Sequence, residues 1–137
     1  MIRSSAIRIP FRYSAGTAGS RFLAALRDDQ RILGARCLTC ARVLVPLRAF
    51  CPLCADGALE EVEVGPGGTL QSWTLRADGT AFALVLLDGA STGIVHRLLG
   101  AAGEARCGLR VRVRFAAKRR ASILDIAGFE PAQEGAS

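Results

Sequence analysis

Two observations predict a mainly β protein. Two CxxC pairs, Cys37/Cys40 and Cys51/Cys54, stand ten residues apart, and from Gly65 onward short alternating apolar segments recur between Gly- and Asp-containing turns. The first is the ligand spacing of a rubredoxin-like zinc ribbon. The second is the pattern of a five-stranded OB-type barrel. A short helix ahead of both completes the expected order: arm and helix over 1–34, ribbon over 35–64, OB-fold barrel over 65–131 and a flexible tail over 132–137. A chain of 137 residues is one ordinary domain, or two small ones sharing a core.

Residues 1–19 read as an extended arm with apolar or aromatic Ile7, Ile9, Pro10, Phe11 and Tyr13. Ser20 is placed to cap a helix, in which Phe22, Leu23 and Leu26 fall on one face, and Gly34 closes the unit. In the ribbon, Val43–Val45 fit a strand that Pro46 breaks, and Leu59, Val62 and Val64 fit another. Gly65-Pro66-Gly67-Gly68 then marks a boundary. Five strands are expected at 69–76, 80–87, 92–99, 109–115 and 122–129, with the loosest connection between the third and fourth. The fourth alternates strictly, Leu109, Val111, Val113 and Phe115 against Arg110, Arg112 and Arg114. That long connection suits a Greek-key barrel.

Four thiolates suit zinc and close its coordination shell, so the expected metal ligands, Cys37, Cys40, Cys51 and Cys54, hold a structural ion with no position open to substrate. An iron site and a ribbon with free thiols are the rivals. Glycine often follows the second cysteine of a zinc knuckle, where the chain turns sharply; this sequence has Ala41 and Ala55. The lone Cys107 reads as a small buried hydrophobe.

The rest of the sequence argues against a catalytic set. His96, the single histidine, sits in a strand and reads as structural or surface. Asp28-Asp29 and Glu60-Glu61 are sequence neighbours, which do not converge on one substrate. The GPGG segment lacks the lysine of a phosphate loop. Trp73 reads as core. The net charge is +6 with Lys118 the only lysine, and a basic surface suits nucleic acid, an acidic protein or a phosphorylated small molecule. The arginine row on the fourth strand is a solvated face in one reading, whereas Lys118-Arg119-Arg120 lies in the loop that borders the usual OB ligand face. The longest apolar run, Ala81–Leu87, is far short of a bilayer span, and no secretory signal is evident at the start, so a cytoplasmic location without a membrane is expected.

The order of parts resembles the zinc-ribbon/OB-fold family of thiolase- and acyl-CoA-associated accessory proteins, which includes the small subunit of benzylsuccinyl-CoA thiolase. The likeness runs from FRYSAGTAGSRFLAALRDDQRILGARCLTCARVLVPLRAFCPLC through GPGGTLQSWT and ALVLLDG to GFEP, roughly Ile9 to Pro131. The resemblance implies a non-catalytic subunit that binds a thiolase-like enzyme and helps hold the coenzyme A part of its substrate. On that reading Arg76, Arg97, Lys118, Arg119 and Arg120 are the coenzyme A candidates. Phe11, Tyr13, Phe22 and Leu26 are the candidates for partner contact. The alternative is a nucleic-acid-binding ribbon/OB module. It is disfavoured because single-strand binders stack bases on exposed aromatics, and Trp73, Phe82, Phe115 and Phe129 mostly alternate with polar residues as core would.

Overall fold

The computed structural model describes residues 1–55, 57–100 and 103–132. Its helix, α1, spans Gly16–Asp29. The chain enters it from Ala15, and the Ser14 hydroxyl accepts the Gly16 N–H at 3.2 Å. Ser20, expected to cap, therefore lies inside the helix. The helix stops at Gln30, which is left-handed at φ 51 and returns its N–H to the Ala25 carbonyl. Phe22, Ala25 and Leu26 are buried within this chain. That corrects the assignment of Phe22 and Leu26 to a partner surface. Apolar residues at helical spacing mark a docking face and a core face equally, and here the chain's own core takes them up.

Strand β1, Ile32–Cys37, is central in a three-stranded antiparallel sheet between β2, Val43–Leu44, and β3, Leu59–Val64. Gly34 does not close the helical unit but sits mid-strand. A Cβ there would lie 2.9 Å from the Leu44 carbonyl oxygen, so glycine permits the close approach of β2. The far edge of β2 is tied to the loop before β6. Ser91 donates its N–H to the Val43 carbonyl at 2.8 Å, and its hydroxyl accepts the Val43 N–H at 3.0 Å. Thr92 accepts the Val45 N–H at 3.0 Å.

The barrel comprises β4 (Gly67–Leu75), β5 (Ala81–Leu87), β6 (Ile94–Leu98), β7 (Arg110–Phe115) and β8 (Ile126–Pro131). It closes in the order β4-β5-β6-β8-β7, antiparallel except where β6 meets β8. Mainly β, with one helix, a ribbon and a closed five-stranded barrel, is the fold the sequence predicts. The last strand differs in detail: a 3-10 turn at Ile123–Asp125 precedes it, so 123–125 is not extended. Apart from Ala132, the tail expected to be flexible lies outside the described residues. One contiguous core runs from Phe22 and Leu26 on α1, through Ile32, Leu33 and Val64, to Leu70, Val85, Val111 and Phe129 in the barrel. Leu26 is wholly buried, and truncating it to alanine would cost about 2–5 kcal/mol.

Strand β4 bulges between Leu70 and Ser72, which changes what its second half presents. Past the bulge, Trp73 lies opposite Ala83 and Leu75 opposite Ala81, both buried alanines. Trp73 and Leu75 therefore face inward, yet they are 41% and 58% exposed. Pairing of β4 with β7 covers only Gly67–Thr69, so no described strand closes over them from that side. The expectation of a core Trp73 is corrected by this parting of the strands.

Candidate metal centre and ligand face

Both CxxC segments form tight turns that point two sulfurs at one place. The Ala41 N–H bonds the Cys37 carbonyl, and the Ala55 N–H bonds the Cys51 carbonyl, each at 2.8 Å. Ala41 and Ala55 are left-handed, at φ 64 and φ 54. The knuckle conformation that glycine usually serves is thus made by alanine, at a steric cost of about 1–2 kcal/mol each. β1 and β2 position the first pair, and the loop leading to β3 carries the second.

The four sulfurs lie within 4.8 Å of one another, and Cys40 Sγ is 3.8 Å from Cys51 Sγ. A tetrahedron of thiolates at zinc–sulfur bonds of about 2.3 Å has edges of about 3.8 Å, so the donor set lies within about 1 Å of a zinc shell. No disulfide competes for these sulfurs. Cys37 and Cys51 are buried, packed with Leu44 and beside Cys54 and Leu59 in a small second core. The Cys37 thiol is drawn down from 9.0 to about 7, chiefly by the Cys40 backbone N–H and further by that of Thr39. Cys54 is pushed up to about 12, first by its hydrogen bond with Cys40 and then by burial. Four thiolates in so small a space would crowd negative charge. Zinc held by Cys37, Cys40, Cys51 and Cys54 would supply the compensating charge and close the ribbon.

The other candidate residues do not form one cluster. Arg119 donates to the Arg27 carbonyl at 2.9 Å and the Ala116 carbonyl at 3.0 Å, binding the basic turn to the end of α1. Lys118, Arg120 and Arg97 are exposed, and among the described residues none of them forms an ion pair. Arg76, in the β4–β5 turn, lies 3.6 Å from Asp78. Arg97 lines a cavity of about 270 Å³ with Phe82, Val95, His96, Ile123 and Leu124. Phe11 and Tyr13 stack at 5.8 Å and are exposed.

Sequence reasoning missed the residue that shapes the basic turn. Asp125 is buried and accepts backbone N–H groups from Arg120 at 2.9 Å, Ala121 at 2.8 Å and Ser122 at 3.2 Å. The Ser-x-x-Asp spacing of Ser122 and Asp125 is the signal that could have found it. His96 is buried, as a structural histidine should be. Its Nδ1 accepts the Arg97 N–H at 2.8 Å, so the proton sits on Nε2, which donates to the Ile123 carbonyl at 3.1 Å. Cys107 is not buried; it is exposed and its thiol donates to the Gln71 carbonyl at 3.2 Å. In the β7 row, Arg110 grips Asp88 at 2.9 and 2.6 Å, and Arg114 lies 3.7 Å from Glu130. Glu60 and Glu61 likewise diverge, to Arg36 and Arg21, both at 2.8 Å. No helix among the described residues is long and apolar enough to cross a membrane.

Fold and site together define a zinc-ribbon protein with an OB-type barrel. Residues 24–60 match the family model of the ChsH2 rubredoxin-like zinc ribbon domain. That match covers the ribbon with its four cysteines, so this segment of the chain is similar to that domain. In fold it is similar to a chain of the Ltp2-ChsH2(DUF35) aldolase, with a TM-score of 0.67 and 22% identity over 89% of this chain and 100% of that one. It is also similar to a DUF35-family protein of unknown function from Sulfolobus solfataricus, with a TM-score of 0.67 and 20% identity over 85% of this chain and 87% of that one. No curated protein matches the chain in sequence.

Proposed function

We propose that this chain is a non-catalytic accessory subunit of a thiolase-type complex that makes or breaks a carbon–carbon bond of an acyl-CoA, and that it helps bind the coenzyme A part of the substrate. The observation that carries this reading is the fold match across the whole of a chain from an aldolase that pairs Ltp2 with ChsH2(DUF35), joined to the ribbon match. The occupied ring of His96 supports a non-catalytic role, since both nitrogens already serve backbone groups. Zinc holds the ribbon. The exposed arm with Phe11 and Tyr13 serves subunit contact. Coenzyme A carries a 3′-phosphate and a pyrophosphate, and Lys118, Arg120 and Arg97, which form no ion pair among the described residues, offer them partners, with Arg76 at the neighbouring turn. Arg119 holds the turn in place rather than facing the ligand.

Isolation of the native complex tests the subunit role: a thiolase-type enzyme is expected to co-purify, and its absence would overturn the reading. Calorimetry of that complex tests the ligand role. Lys118→Ala with Arg120→Ala should weaken coenzyme A binding by about 1–3 kcal/mol per charged hydrogen bond lost, and by less for the analogue lacking the 3′-phosphate. Unchanged affinity for both ligands would leave the turn as a solvated loop.

A further inference from the structure

The chain contains an unpaired strand and an unpaired strand edge that match one another. The strand is the N-terminal arm. Ile7, Ile9, Phe11 and Tyr13 alternate with Arg8, Pro10, Arg12 and Ser14, the period of an amphipathic β-strand. Phe11 and Tyr13 stack on one side of the chain, as i and i+2 do in extended backbone. No described residue covers this apolar row: Ile7, Ile9, Phe11 and Tyr13 are all strongly exposed.

The edge belongs to the second half of β4. The Arg76 N–H bonds the Thr80 carbonyl, so by alternation Thr74 and Ser72 also direct their backbone groups toward β5. Trp73 and Leu75 direct theirs the other way. On that side Leu70 is the last residue whose backbone bonds the backbone of the neighbouring segment, exchanging hydrogen bonds with Leu109 and Gly108, and only the Cys107 thiol reaches one residue further, to the Gln71 carbonyl. No described residue pairs with the outward N–H and C=O groups of Trp73 and Leu75. Their side chains lie on the inner face of the sheet, beside buried Ala83 and Ala81, yet are open to water. An apolar, open-edged strand end is a template for an added strand.

We propose that the arm of one copy adds to the β4 edge of a second copy as a sixth, antiparallel strand, Phe11 opposite Trp73 and Ile9 opposite Leu75. Three features fit this occupant. In that register the apolar row of the arm covers Trp73 and Leu75, while Arg8 and Arg12 remain in water. The odd-numbered residues turn their N–H groups to β4, so Pro10, which has none, faces solvent, the place where an edge strand tolerates proline. The same proline then blocks any further strand. Reciprocal exchange between two copies closes the assembly with two-fold symmetry. The inference gives the same arm a second occupant when the catalytic subunit is absent, and its test uses this chain alone, so its failure and that of the accessory-subunit reading are distinguishable.

Trp73 is the sole tryptophan, so its emission reports directly on the edge. The test is light-scattering mass and Trp73 emission of the full chain across a concentration series. Mass should double with concentration while the emission moves to the blue. Ile9→Asp with Phe11→Asp should raise the dimer dissociation constant at least about tenfold and return the emission to the red. Arg8→Gln with Arg12→Gln, on the solvent side, should leave both readouts unchanged. These positions are exposed, so the variants retain the fold, which zinc content and circular dichroism check. A chain that stays monomeric throughout overturns the proposal. So does a blue emission without mass change that the aspartates abolish, because the arm would then lie on its own barrel. A dimer indifferent to the aspartates overturns it as well.

Discussion

Replacing Ala41 and Ala55 with glycine should stabilise the protein, against the usual effect of that substitution. Both residues are left-handed, at φ 64 and φ 54, directly after a CxxC turn. A side chain with a Cβ pays about 1–2 kcal/mol in that region. Glycine removes this cost but loses about 0.4–1 kcal/mol to the greater freedom of the unfolded chain. The difference is a gain of about 0.5–1 kcal/mol at each site, or about 1–2 kcal/mol for the pair. For a chain of this length that corresponds to a rise in Tm of about 3–5 °C per kcal/mol. The assay is thermal unfolding of the zinc-loaded protein, with Ala24→Gly on α1 as the internal control. The control sits in a helix interior and should lose about 1 kcal/mol. Opposite signs in one protein separate backbone conformation from a general effect of glycine. A loss at Ala41 and Ala55 equal to the loss at Ala24 would refute the left-handed knuckles and the turn geometry that aims the sulfurs.

Removing the metal with a chelator should unfold the ribbon, because zinc in such small units supplies about 10–16 kcal/mol of apparent folding energy. Far-ultraviolet spectra with and without chelator would show it, and an unchanged ribbon in zinc-free protein would count against a structural role. Zinc should also leave on acidification, because protons compete for the four thiolates, and Cys51→Ser should shift that release to higher pH. Asp125→Ala should cost about 3–5 kcal/mol in denaturant unfolding, since three backbone N–H groups lose their charged acceptor in a buried place. A loss below about 1 kcal/mol would mean that water replaces the carboxylate.

The metal site was legible because its chemistry is local. Two short spacings state which residues meet, whatever the rest of the fold does. The barrel strands were legible because four of the five alternate or run apolar between turn residues. What escaped depends on contacts between distant segments. Strand β1 shows no alternation, because Ile32, Leu33, Gly34 and Ala35 are all buried. Its glycine reads as a stop signal until β2 is placed against it. Phe22 and Leu26 carry a helical stripe that says nothing of what covers it. Alternation alone places Trp73 in the core. Its position does face inward, and it is the bulge and the departure of β7 that leave it open.

Charge illustrates the same dependence most directly. A net charge of +6 names no site, because cations become neutralised by partners far away in sequence. Arg21 meets Glu61, Arg31 meets Glu63, Arg36 meets Glu60 and Arg110 meets Asp88, all through strand or helix neighbours that the sequence does not announce. These pairs are exposed and each adds at most about 1 kcal/mol to stability. Their larger consequence is electrostatic: a paired arginine presents little field to an approaching anion. Pairing therefore removes most of β1, β3 and the start of β7 from consideration. Among the described residues Arg42, Arg48, Arg106 and Arg112 also form no ion pair, but Lys118, Arg120 and Arg97 stand around the turn that Asp125 and Arg119 hold in shape and the cavity beside His96. An anionic ligand gains most where the cations have no prior partner and the backbone beneath them is already ordered, because neither an ion pair nor a loop must then be reorganised on binding.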